Sequence, residues 1–383
     1  MTTELARSPF LALPGAVATP QTAADAGVPA HYGNPLVEQR SLESGEAIVD
    51  LSTRGVVSVA GGDRLSWLDS MTSQSLRSLR PGESAEALLL DPAGHVEHAL
   101  HVIDDGETTW LLTERSDTDA VLAFLTSMRF MLRVEPEDRT ADFATIGYIA
   151  APGTACAPDA AVSNDVALTW RDPWPAVVAG GHQYASAEHE HPGVTYHWVE
   201  TLVQRNGLQA LADAAASGRS AVAGTLAADA LRIAAWRPRL AAEVDDRTIP
   251  HELDWLRTAV HLNKGCYRGQ ETVAKVHNLG HPPRRLVFLH LDGSESAQIE
   301  RGAEVLLGDV VVGHVTSAAL HHELGPIALA VIKRSTDASA DLRVRVDDTL
   351  VAAAQEAIVP PDAGAEANVP RIPRLGQVTR PAR

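Results

Sequence analysis

The sequence predicts an α+β protein in several parts, ending in a small β-barrel. Three observations point there. At 383 residues the chain exceeds the roughly 250–300 residues that one hydrophobic core serves, so two or three domains are expected. Up to Pro283, segments of helical period alternate with strand-like runs. Beyond Pro283 short strand-like runs follow one another with no helix between them, which is the pattern of a small barrel. The expected divisions are a flexible extension over 1–35, a first lobe over 36–150, a second over 151–283, the barrel over 284–359 and a flexible tail over 360–383.

Residues 1–35 are rich in Ala, Pro and Thr and lack helical or strand period. The first organised runs are Ala47 to Ser52 and Gly55 to Gly61, both extended. Asp63 then precedes a short helix with Leu65 and Leu68 on one face. Two strands, Ala87 to Leu90 and Val96 to Ile103, flank Asp91-Pro92-Ala93-Gly94, whose residues suit a turn. Asp117 to Met131 carries apolar residues at helical spacing, and Glu135 to Ile149 reads as strand. A loop follows that holds Cys156, with Trp170 and Trp174 expected to pack beneath it. Thr195 to Ala216 reads as helix interrupted near Asn206-Gly207, and a second helix runs from Gly224 towards Trp236. The barrel strands are expected from Arg285, Glu304, Val310, Ile327, Leu342 and Leu350, with Gly308-Asp309 as a two-residue hairpin turn.

Chemistry concentrates in Lys264-Gly265-Cys266-Tyr267-Arg268-Gly269-Gln270-Glu271. Its glycines predict a tight turn that presents side chains. A helix is expected from Gln270, with Glu271 and Lys275 four apart and Gly280, Pro282 and Pro283 as the stop. Cys266 then sits just before a helix N-terminus and beside Lys264, and both features favour the thiolate. Lysine occurs only at 264, 275 and 333 among 32 Lys plus Arg residues, so two of three lie in this stretch. An ammonium whose pKa burial can shift is a different tool from a guanidinium.

Lys-Gly-Cys-Tyr-x-Gly-Gln-Glu resembles the signature of the YgfZ family of folate-binding proteins. Those proteins act in iron–sulfur cluster assembly or repair and share the fold of the glycine-cleavage T-protein, an aminomethyltransferase. The resemblance implies two α/β lobes around a central folate pocket plus a C-terminal barrel. It implies tetrahydrofolate or a derivative as ligand, iron–sulfur client proteins as partners and a link to tRNA modification. It also implies Cys266 and Lys264 as the reactive pair, with Arg232, Tyr267, Gln270 and Glu252 as cofactor contacts. Arg232 lies in Gly-x-x-x-x-Asp-x-Leu-Arg and Glu252 in Ile-Pro-His-Glu, both similar to family elements. Two departures oppose aminomethyl transfer. Where T-proteins carry an acidic pair after the hairpin glycine, this chain has His98-Ala99, and their Gly-Tyr-Thr-Gly-Glu element is not found.

Composition sets the remaining bounds. A net charge of −17 opposes non-specific binding to nucleic acid or anionic membrane. Cys156 and Cys266 alone make no disulfide framework, so a reducing cytoplasmic setting is expected. No apolar run approaches the roughly 20 residues that span a bilayer. His95, His98 and His101 lack an acidic or thiol partner at ligand spacing, so no metal site is expected there.

Overall fold

The computed structural model describes residues 7–154, 156–294 and 298–367. Two five-stranded sheets and a closed six-stranded barrel form its frame. One sheet orders Ser84–Leu90, Val96–Asp104, Thr108–Thr113, Gly55–Ala60 and Glu135–Asp138. The other orders Thr169–Arg171, Trp198–Gln204, Phe143–Ile149, Ala47–Asp50 and Ala221–Ala223. Its last strand pairs parallel to Ala47–Asp50. The chain thus crosses between sheets at residues 50–55 and again at 138–143. For that reason the expected division at residue 150 does not separate them.

Residues 198–204 correct the expected helix over 195–216. Six of the seven residues of Trp198–Gln204 are buried, including Val199 and Val203, and the strand pairs along its whole length with Phe143–Ile149. Only Leu208–Ala216 is helical. Sheet pairing and burial of a β-branched run outweigh local propensity here. Likewise Glu135 to Ile149 is two strands in different sheets, broken by a turn in which Thr140 Oγ1 accepts from the Val56 amide.

The expected flexible extension is also corrected from residue 7 onward; residues 1–6 lie outside the described part. Phe10 is completely buried against Ile48 and Ala144. Val17–Ala18 pairs with Pro29–His31, and Asn34 caps the helix Pro35–Glu43. These contacts are non-local, so no periodicity announces them. At the other end, residues 364–367 pack on the helix Gln270–Leu279, and 368–383 lie outside the described residues. The amides of Glu366 and Ala367 donate to the carbonyls of His277 and Asn278, which a helix C-terminus leaves open.

The barrel orders Arg284–Leu291, Gly325–Lys333, Val310–His321, Glu304–Leu307, Leu342–Val346 and Thr349–Ala357. Alternate residues fill its interior, among them Val287, Leu289, Val305 and Ile332. Its outer face joins the main core through Leu286, Phe288, Ile327 and Leu329. The largest core cluster therefore draws on both sheets and on the barrel. No helix among the described residues is long and apolar enough to cross a membrane.

Candidate functional site

A narrow cavity of about 70 Å³ lies where the two sheets meet the helix Thr225–Ala234. Strand Val96–Asp104 turns Ala99 and His101 towards it, two residues apart on one face. Strand Trp198–Gln204 contributes Trp198 and Glu200 by the same alternation, and the helix contributes Ala228 and Arg232. The turn after that helix adds Arg237 and Arg239, and the N-terminal segment adds Asp25. An open cleft of about 800 Å³ shares Glu114 and Leu240 with the cavity and gives an approach to it.

Buried guanidinium–carboxylate pairs form part of the wall. Arg237 donates to Glu86 at 2.7 Å and to Asp172 at 2.9 Å. Arg239 grips Asp25 and Glu114 through both edges of its fork. Burial alone drives Glu114 upward, but the Arg239 charge outweighs it and holds that carboxyl below its usual range. Asp172 goes the other way: burial, helped by the nearby Glu86 charge, outweighs Arg237 and raises it.

Glu200 and His101 form a distinct pair. One Glu200 oxygen accepts from Arg54 and from Trp198 Nε1, and the other meets His101 Nδ1 at 2.8 Å. Against the upward push of burial, chiefly the Arg54 charge holds Glu200 well below the ordinary carboxylate range, so it is ionised. The imidazole lies flat on Trp170, with centroids 3.6 Å apart and planes 2° from parallel.

Two buried donors at this cavity have no partner among the described residues: Arg54 Nε and Arg237 Nη1. Such orphans are uncommon in folded proteins and mark where a ligand's acceptors fit. Trp198 and Trp255 also line the cavity. A pterin has both acceptor atoms and a planar ring, so these residues fit the group that the sequence resemblance implies. The small open volume requires side chains to part on binding.

Of the expected cofactor contacts only Arg232 lines this cavity, and its fork is already filled. It donates to Asp229, Glu243, Ser317 and the Arg237 carbonyl. Glu252 is fully buried elsewhere and accepts three hydrogen bonds from Arg284, which removes it from ligand reach. Tyr267 and Gln270 line a separate surface cleft with Asn263 and His277.

The signature segment is built as a strut. Gly269 adopts φ 82°, and a Cβ there would meet the Asp91 carbonyl at 2.7 Å, so glycine alone allows this loop to close on the Asp91–Gly94 turn. The expected helix runs from Gln270 to Leu279 and stops at Gly280. Lys264 buries its ammonium, donating to the carbonyls of Asp69, Thr72 and Gln74. Burial lowers its pKa against the opposing charge of Asp69. The expected Lys264–Cys266 pairing is therefore not formed. Cys266 is exposed, whereas Cys156 is half-buried and raised by that burial.

Glu200, Arg237 and Arg239 are not among the residues that the sequence marks, and His101 stands there only in a histidine group at which no metal site is expected. His95 and His98 instead meet Asp91 and Asp117. The available signal was Arg237-Pro238-Arg239, two charges embedded in an apolar stretch just after a helix.

Comparison with known proteins agrees with this architecture. The glycine cleavage system aminomethyltransferase T of Bartonella henselae superposes over 88% of this chain and 92% of its own, with a TM-score of 0.69 at 17% identity. The fold is that of the glycine cleavage T-protein. Residues 284–358 match the glycine cleavage T-protein C-terminal barrel domain. An aminomethyltransferase of Rippkaea orientalis is 24% identical, covering 80% of this chain and 84% of that protein. A putative chloroplastic transferase of Arabidopsis thaliana is also 24% identical, over 76% of this chain and 66% of that protein.

Proposed function

We propose that this protein binds a tetrahydrofolate-class ligand in the central cavity and transfers a one-carbon unit there, as an aminomethyltransferase-like enzyme. The observation that carries the reading is the cavity itself, which sets two unpartnered buried guanidinium donors beside an ionised carboxylate–imidazole pair. Arg54 and Arg237 would hold ligand acceptors, and Trp198 and Trp255 would bracket a planar ring. Relatives bearing the name aminomethyltransferase support this class. When bound, the folate supplies nitrogen that accepts the one-carbon unit; the protein's residues orient it and exclude water.

A second reading rests on Cys266. A folate-binding accessory protein of the YgfZ type, supporting iron–sulfur cluster assembly or repair, would use an exposed thiol on the loop before the helix Gln270–Leu279. Ala99 at the cavity wall, where a carboxylate would serve transfer chemistry, favours this reading. An assay with aminomethylated lipoyl carrier protein and tetrahydrofolate separates the two. Formation of methylene-tetrahydrofolate that survives Cys266→Ala supports the transferase. Folate binding without turnover, together with loss of iron–sulfur enzyme activity in cells carrying Cys266→Ala, supports the accessory protein.

A further inference from the structure

The Glu200–His101 pair has the geometry of a proton-transfer dyad. Because Glu200 is held ionised, it can only accept, so the proton of a neutral His101 sits on Nδ1. Nε2 is then left with an open lone pair. It makes no hydrogen bond among the described residues, and the imidazole is 20% exposed. Trp170 fixes the ring plane from one face, and the Nδ1 contact with Glu200 restrains its rotation within that plane.

The surroundings favour a ring that can take up charge. Glu86 lies opposite His101 in the strand register, Asp172 is nearby, and Glu200 is in contact. Arg237 and Arg54 balance these carboxylates. The neighbouring cavity-facing position on the same strand is Ala99, which carries no proton.

We propose that His101 is the proton-accepting group of the central cavity, presenting Nε2 to an N–H of the ligand while Glu200 secures the proton on Nδ1. This rests on the reading of the cavity as a folate-class site. In the transfer step the ligand N–H bond breaks as that nitrogen uses its electron pair to bond carbon, and the proton passes to Nε2. The bond from carbon to the leaving group breaks with its electron pair going to the leaving group. That group then takes the proton back from Nε2, which restores neutral His101.

The test uses full-length protein labelled with ¹⁵N-histidine and titrated with tetrahydrofolate under anaerobic conditions, with His101→Phe as comparison. Phenylalanine keeps a flat ring on Trp170 and removes both nitrogens. The His101 Nε2 resonance of free wild type, identified by its loss in His101→Phe, is the reference. It should shift on ligand binding, and His101→Phe should weaken affinity at least tenfold. Wild-type binding with an unmoved Nε2 signal and equal affinity in the variant overturns the inference and leaves the folate reading standing. Failure of wild type to bind overturns both. Should His101→Phe not fold, the Nε2 tautomer and its response in wild type decide the matter, with assignment through Glu200 and Trp170 contacts.

Discussion

Single residues here divide between those that keep a cavity charged and those that hold the frame. Asp254 belongs to the second kind. It is wholly buried in the left-handed region at φ 56°, and burial pushes its carboxyl up to about 7, with Arg257 opposing. An unfolded aspartate titrates near about 3.9. Between those values the native state holds a proton that the unfolded state has lost, so stability falls as pH rises from about 4 to 7. Asparagine tolerates the same backbone and carries no charge. Asp254→Asn is therefore expected to flatten that part of the stability–pH curve and to exceed wild type at pH 8, as urea midpoints will show.

Lys264 illustrates how a reactive-looking residue becomes structural. Its side chain is 3% exposed and its ammonium serves backbone carbonyls at the C-terminal end of the helix Arg64–Met71 and just beyond it. Lys264→Met should cost about 1–3 kcal/mol through carbonyls left unpaired. Cys266 should still label faster than Cys156, because access and not the lysine sets the difference. Thiol-labelling rates measured with and without the Lys264 substitution check both statements: a Cys266 rate that collapses in Lys264→Met contradicts this account.

At the scale of elements, the barrel is fastened to the lobes by polar clamps as well as apolar contact. Arg284, at the start of its first strand, reaches Glu252 and Asp245. Arg232 reaches Ser317 on a later strand and Glu243 beside it. Removing one partner of a buried pair strands the other's charge, which typically costs about 3–5 kcal/mol. Arg284→Ala should lose stability on that scale, whereas Glu252→Gln should lose less, as denaturant melts will distinguish. The barrel strands and the helix Gln270–Leu279 were legible in the sequence because periodicity, turn glycines and stop signals are local. The strand Trp198–Gln204 was not, because its burial on both faces removes the alternation that marks a half-exposed strand.

For the whole molecule the same contrast holds. The T-protein fold could be read from a signature segment and from the change to short strands after Pro283. The candidate site could not, because its cavity gathers Asp25, Arg54, His101, Glu200 and Arg237 from five separate stretches of chain. Each is unremarkable where it stands, and only sheet crossing brings them together. The signature segment, by contrast, is contiguous and conspicuous, yet its lysine and Gly269 serve mainly to lock the loop in place. Interleaving of the two sheets thus makes the cavity a property of the complete fold.

In the proposed function the folate-class ligand occupies this cavity. Ala228, on the helix Thr225–Ala234, lines it and is only partly buried, so a larger side chain there projects into the open space. Calorimetric titration of tetrahydrofolate into wild type and Ala228→Trp, with melting temperatures measured alongside, tests the claim. Binding by wild type and its abolition in a folded Ala228→Trp is the expected result; equal affinity in the two proteins would place the ligand elsewhere and contradict it.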